Sequence, residues 1–262
     1  RQDTSAPEEG RDPGSLSART LGAGAPHRRF RYAAAMRFRD LPSPNQEDRP
    51  AGVPIDMLIL HYTGMTTAAE AIARLRDPGA IVSCHYVVDE DGAVFRLVPE
   101  DRRANHAGVS HWRGHDRLNA RSVGIEIVNP GHEHGYRPFP ALQMAAVCDL
   151  CLEILGRWPI PARNVVAHSD VAPDRKEDPG ELFDWEGLAA NGVGIWPRAG
   201  AAPCAEADVV PLLGAIGYRT DLSPDVLVTA FQRHWAPHRT DGVADEATRA
   251  RIAAVAAACA GG

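Results

Sequence analysis

Two histidines and one aspartate supply the chemistry that this sequence can be read for. His168 follows Asn164-Val-Val-Ala167, a short apolar run that reads as a buried strand. Its imidazole therefore stands at a strand's carboxyl end, where α/β sheets place their ligands. His61 closes a second apolar run, residues 55–60, and opens onto a loop containing Gly64. Past His168 the chain carries Pro173, Pro179, Gly180 and a run of charges, too polar and interrupted for helix or strand. That stretch reads as a stiff surface loop, which can fold Lys176 and Asp178 back toward His168. Two imidazoles and one carboxylate make three N/O ligands for a zinc ion, with a fourth position left for water. Open coordination means catalysis rather than scaffolding. Taken singly, a strand-end His is a hydrogen-bonded structural residue and a loop Asp is solvated; only the combination argues for a metal.

A further carboxylate interrupts an apolar strand. In Val123-Gly-Ile-Glu-Ile-Val128, Gly124, Glu126 and Val128 share one face while Val123, Ile125 and Ile127 share the other. If the strand is buried, Glu126 loses hydration, which favours its neutral form. The pattern equally allows an edge strand with Glu126 in water.

Five segments carry a resemblance. Leu58-Ile-Leu-His61-Tyr-Thr-Gly-Met65, Val82-Ser-Cys-His-Tyr-Val-Val88, Asn105-His-Ala-Gly-Val-Ser110, Ser122-Val-Gly-Ile-Glu-Ile-Val-Asn129 and Ala167-His-Ser-Asp-Val-Ala-Pro-Asp-Arg-Lys-Glu-Asp-Pro-Gly180 resemble the AmpD/AmiD family of zinc N-acetylmuramoyl-L-alanine amidases. That family is related to amidase-type phage lysozymes and peptidoglycan recognition proteins. The resemblance runs in order from about residue 43 to residue 197, over half the chain. It implies a mixed α/β sheet with zinc in a groove above it, and it makes Glu126 the general base beside the metal.

The bond implied joins the D-lactyl carbonyl of N-acetylmuramic acid to the first L-alanine of the stem peptide, in peptidoglycan or anhydromuropeptides. Glu126 then takes a proton from water and returns it to the leaving amine. Lys176 donates hydrogen bonds to the oxyanion, although a lone loop lysine also suits an ion pair with Glu177 or Asp174. His106 and Asn129 are candidate contacts to the sugar or the lactyl amide, and the Arg175 fork suits the peptide's carboxylates. His85 is expected either near the zinc or in strand packing. Asn105 stands where the family usually has Trp, and Asp174 where it has Gly. The first departure removes an aromatic platform for a sugar; the second lowers the positive potential beside Arg175.

Composition bounds the remainder. A chain of 262 residues with 44% hydrophobic residues holds one ordinary domain and a smaller one. Net charge of −6 argues against general nucleic-acid binding, which needs a basic surface. No apolar run approaches the roughly 18 residues that a membrane span requires. Cys148 and Cys151, spaced C-x-x-C inside a helical pattern, are expected in the core, and Cys204 and Cys259 flank the C-terminal region, where the sequence leaves their pairing under oxidising conditions open.

Residues 1–42 read as a disordered or extended segment, rich in Arg, Gly, Pro, Ser and Ala without periodicity and without the apolar core of a secretory signal. Met36 is an alternative start, and both periplasm and cytoplasm stay open as the compartment. The catalytic domain is expected over 43–198, a linker over 199–206, and a three-helix domain over 207–262. Within that last unit Ala230-Phe-Gln232, Asp241-Gly-Val243 and Asp245-Glu-Ala-Thr248 are similar to the small peptidoglycan-binding domain appended to some of these amidases. A monomer is expected. Two other activities share the residues: a recognition protein without catalysis, and a zinc peptidase cutting within the stem peptide.

Overall fold

The computed structural model describes residues 38–198 and 200–261, so the N-terminal segment up to residue 37, Met36 included, lies outside the described residues. In chain order the elements are β1 Phe38–Asp40, β2 Gln46–Asp48, β3 Met57–Tyr62, α1 Ala68–Arg76, β4 Tyr86–Val88, β5 Val94–Arg96, β6 Arg102–Ala104, β7 His111–Trp112, β8 His115–Asp116 and β9 Ser122–Ile127. They continue with α2 Ala141–Arg157, β10 Val165–Ala167, α3 His168–Val171, α4 Trp185–Ala190, α5 Val209–Ile216, α6 Pro224–Trp235 and α7 Glu246–Ala260.

Buried aliphatic strands make the central sheet, in the order β1-β5-β4-β9-β3-β10. Only the β4–β5 hairpin is antiparallel within it, and the sheet is therefore mixed, as read. The hairpin turns at Gly92, in the left-handed region at φ 83°. β1 pairs with β5, so the sheet already begins at Phe38. Helix starts follow their caps. Thr67 accepts the Glu70 amide at the head of α1, and Asp77 with Pro78 stops it.

Alternation along the strands sorts residues to two faces. Leu58, Leu60, Val123, Ile125 and Ile127 pack against α2, joined by Cys148 and Cys151, and against Trp185 and Leu188 of α4. On the opposite face, Ile72 and Leu75 of α1 cover the β4–β5 side with Val87 and Phe95. Beside them, Met57, Ile59 and Val166 share one core with Leu213, Phe231, Ile252 and Val255 of α5, α6 and α7. The three C-terminal helices thus rest on the sheet instead of standing apart from it. Gln232 ties their three sequence motifs together, donating toward Asp241, Val243 O and Thr248 and accepting the Gly242 amide at 2.8 Å. A gap stays open on this face between α1 and α6, at the carboxyl ends of β3 and β9.

All five cysteines are free; Cys259 is buried and Cys204 half-buried. No helix among the described residues is long and apolar enough to cross a membrane.

Candidate active site

His61 closes β3 on the face that carries Met57 and Ile59, because side chains two apart share a face. β9 lies alongside in parallel register, with Glu126 the cross-strand partner of His61. His168 begins α3 directly after β10, the strand on the other side of β3. The loop beyond it folds back as read: the Ser169 amide donates to Asp178 O at 2.9 Å, which sets the Asp178 carboxylate beside both rings.

Three donor atoms converge there. His61 Nδ1 lies 2.9 Å from His168 Nδ1 and 3.1 Å from Asp178 Oδ2, and His168 Nδ1 lies 3.0 Å from the same oxygen. His61, His168 and Asp178 are all buried. The outer nitrogens are engaged elsewhere, His168 Nε2 with Ala107 O at 3.1 Å and His61 Nε2 with His106 Nδ1 at 3.0 Å. A carbonyl only accepts, so His168 donates from Nε2 and its Nδ1 is a bare lone pair when the ring is neutral. That lone pair faces a carboxylate oxygen, which also only accepts. A cation at their centre, a metal ion or a proton, relieves such crowding of acceptors in a buried site.

Charge states agree with a metal-binding set. Burial and the neighbouring His168 push the His61 imidazole down to about 4, against the opposing pull of Asp178. For Asp178, burial raises the carboxyl, but the His168 charge and hydrogen bonds from both rings outweigh it and hold the group below the usual carboxylate range. A neutral imidazole and a carboxylate are the ligand forms at neutral pH.

Glu126 stands over this cluster on the groove side. Burial, and then the charge of Asp178, push its carboxyl well above the ordinary range, with Lys176 opposing. Its Oε2 is buried and has no hydrogen-bond partner among the described residues. A carboxyl raised toward neutrality and free of partners is suited to exchanging protons with water.

The groove has a volume of about 730 Å³ and a wall from each side of the gap. Arg74 and Leu75 come from α1, Gly131 and His132 from the loop after β9, and Asp174 and Lys176 from the loop after α3. Asp225, Val226, Thr229 and Arg233, along one face of α6, close it. Lys176 is half-buried at this wall, while Glu177, the ion-pair partner expected for it, instead pairs with Arg233 at 2.8 Å and with His132 at 3.5 Å.

The three expected substrate contacts each make hydrogen bonds within the protein. Asn129 is 1% exposed, donates to Arg137 O at 2.7 Å and accepts the Gly131 amide at 3.1 Å, so its amide is spent on shaping the loop. Arg175 lines the groove, and it donates from Nε to Val109 O at 2.8 Å and from Nη2 to Ala107 O, so one edge of its fork clamps a backbone turn. His106 borders the groove but is buried, with both ring nitrogens engaged inward by His61 and Ser122. His85 is held by backbone, accepting from Gly124 N at 2.9 Å and lying 3.2 Å from Arg102 O. Its ring approaches His106 and not the metal ligands, with centroids 5.6 Å apart.

Other groups went unread. His234 is 2% exposed, pairs with Asp170 at 2.6 Å and stacks on Trp185 and Trp235. His132 meets Tyr62 Oη at 3.0 Å and stacks on Tyr136 in the groove wall. The face of α6 that reaches the groove has no local signal, since any amphipathic helix shows the same spacing.

Comparison with known proteins agrees with this geometry. The family model for N-acetylmuramoyl-L-alanine amidase matches residues 51–181, which take in His61, His168, Asp178 and Glu126. N-acetylmuramoyl-L-alanine amidase AmiD of Escherichia coli is 38% identical over 75% of this chain and 80% of its own length. The 1,6-anhydro-N-acetylmuramyl-L-alanine amidase AmpD of Escherichia coli is 35% identical over 56% of this chain and 87% of its own. A solved structure of Escherichia coli AmiD, in complex with anhydro-N-acetylmuramic acid-L-Ala-D-gamma-Glu-L-Lys, superimposes with a TM-score of 0.70 at 37% identity, covering 78% of this chain and 90% of that one. With one model spanning the three-donor cluster and Glu126, and a relative matched across four-fifths of its length, the chain belongs to the N-acetylmuramoyl-L-alanine amidase family.

Proposed function

We propose that this amidase holds zinc between His61, His168 and Asp178 and hydrolyses the amide between the lactyl group of N-acetylmuramic acid and L-alanine in muropeptides, with Glu126 as general base and Lys176 as oxyanion donor. The observation that carries the proposal is the unpartnered, buried Oε2 of Glu126 on the strand beside His61, at the floor of the groove. Zinc, when bound, supplies Lewis acidity and makes hydroxide available near neutral pH. Glu126 accepts the proton that water gives up on attack and returns it to the departing amine of L-alanine. Lys176, on the opposite wall, donates to the carbonyl oxygen as charge develops on it.

The groove volume of about 730 Å³ suits a ligand of a sugar and a few amino acids, larger than a single residue and smaller than a polymer strand. The likeness to AmiD, solved with an anhydromuropeptide, supports the same substrate class here. A muropeptide incubated with zinc-loaded protein is expected to release a free peptide beginning with L-alanine, read by mass spectrometry, and to stay intact with Glu126→Ala. Cleavage within the peptide would transfer the same site to a zinc peptidase, and binding without cleavage would make the protein a recognition module.

A further inference from the structure

Both histidines of the metal cluster turn their outer nitrogens to one dipeptide. His61 Nε2 meets His106 Nδ1 at 3.0 Å, and His168 Nε2 meets the carbonyl oxygen of Ala107, the next residue, at 3.1 Å. A ring-to-ring contact such as His61–His106 has no intrinsic direction, because either nitrogen can carry the hydrogen. The direction is nevertheless set, from three residues away.

Ser122 Oγ lies 2.7 Å from Leu118 O and 3.1 Å from His106 Nε2. A carbonyl oxygen only accepts, so the single hydroxyl proton of Ser122 goes to Leu118. Ser122 Oγ is left as an acceptor, and His106 must donate to it from Nε2. A neutral His106 then has a bare Nδ1, which accepts from His61 Nε2–H and leaves His61 Nδ1 bare as well. The chain of donors runs His61 to His106 to Ser122 to Leu118, and it ends on a group that cannot reverse it.

The dipeptide is itself held from several sides. Asn119 Oδ1 accepts the amides of His106 and Ala107, the latter at 2.7 Å, and Arg175 Nη2 donates to Ala107 O. Gly124, on β9 between Ser122 and Glu126, leaves the space in which the His106 ring lies: a Cβ there would fall 2.4 Å from His106 Nδ1.

We infer that His106 and the Ala107 carbonyl, with Ser122 as the terminal acceptor, are positioning groups that fix both metal-cluster histidines in the tautomer with a bare Nδ1. The inference rests on the proposed metal set only for its consequence, since the hydrogen-bond directions hold without a metal. Outer partners of this kind orient a ligand ring and raise its basicity, and their loss costs about 10- to 100-fold in metal affinity.

Long-range proton–nitrogen NMR of the imidazoles in the metal-free, full-length protein tests the directions. His61, His106 and His168 are each expected to carry a proton on Nε2; a bare Nε2 on His61 or on His106 overturns the inference. Chelator competition for zinc tests the consequence in three variants whose folding is checked by circular dichroism. In His106→Phe, which cannot accept, affinity is expected to fall about 10- to 100-fold. In His106→Asn, whose carboxamide oxygen takes the place of Nδ1, most of that loss is recovered. Gly124→Ala, which keeps every polar group but displaces the His106 ring, is expected to weaken binding. Equal losses in the Phe and Asn variants would mean that His106 merely fills space, and no loss in any variant would mean that it positions nothing. A wild-type protein that takes up no zinc sinks the proposed metal set instead, and the NMR of the metal-free protein still decides the hydrogen-bond directions.

Discussion

His61 and Glu126 are cross-strand partners on β3 and β9, and their side chains rise from the same face of the sheet. One belongs to the three-donor cluster; the other places a buried, unpartnered carboxylate oxygen beside it. Parallel pairing at this register puts a carboxyl group next to the three-donor cluster without help from any loop. A one-residue slip of β9 would turn Glu126 into the α2 core.

Replacing Glu126 by Gln is expected to lower kcat/KM for muropeptide hydrolysis about 10²- to 10⁴-fold while zinc content is kept. The working form is the carboxylate, and burial raises its pKa, so the acid limb of the wild-type profile should lie above the ordinary Glu range near 4.3. Residual activity of the Gln variant should lose that limb. A profile of unchanged shape would show that another group supplies it.

Lys176→Met should reduce kcat by roughly 10²- to 10³-fold and leave KM nearly unchanged, because an oxyanion donor acts only in the transition state. Steady-state kinetics on a defined muropeptide checks this. A variant altered in KM alone would assign Lys176 to ground-state binding.

For Arg175→Ala the expected loss is in stability, by about 1 kcal/mol, since the part-buried Ala107 carbonyl and the exposed Val109 carbonyl lose a charged donor. Its KM for peptides with free and amidated carboxylates should change by the same factor. Preferential loss on the free carboxylate would restore the substrate contact that the sequence suggested.

Metal-free protein should lose stability as pH falls between about 6.5 and about 4. In the unfolded chain His61 gains its proton near 6.5; in the folded protein burial delays this to about 4. Within that window the unfolded state binds more protons, so folding weakens on acidification, by on the order of 3 kcal/mol from this group. Asp178, held below its usual range, contributes stability that is lost only at still lower pH. Urea midpoints of chelator-treated protein across the window measure the slope, and added zinc should oppose it. A flat stability curve through this range would count against a buried neutral His61.

Phe231→Ala should destabilise by about 3–5 kcal/mol, because the ring is fully buried in the core that α6 shares with β3. Sheet and C-terminal helices should still unfold in one transition, since they share that core. Two transitions by circular dichroism and tryptophan fluorescence would mean that the helices are held independently.

The three-donor cluster was legible because it is carried by local pattern. A histidine at the end of an apolar run sits at a strand's carboxyl edge in any α/β sheet, and proline with glycine marks the loop that brings Asp178 back. The same holds for the hairpin at Gly92, the cap at Thr67, the alternation that puts Glu126 opposite Ile125, and the three C-terminal helices. Each depends on neighbours within a few residues. What only the tertiary structure decided is which partner each polar group finds. Asn129, Arg175 and His106 have the chemistry to meet a substrate, yet each is engaged by protein groups that folding delivers from elsewhere in the chain. His234, polar by composition, is buried because Asp170 arrives from 64 positions away to pair with it. Likewise α6 shows the period of an ordinary amphipathic helix, and that period does not say which part of the sheet it will cover or that Arg233 will border the groove. Periodicity and turn chemistry are properties of short segments and can be read from them; hydrogen-bond ownership and groove walls come from contacts between distant segments, which exist only once the chain has packed.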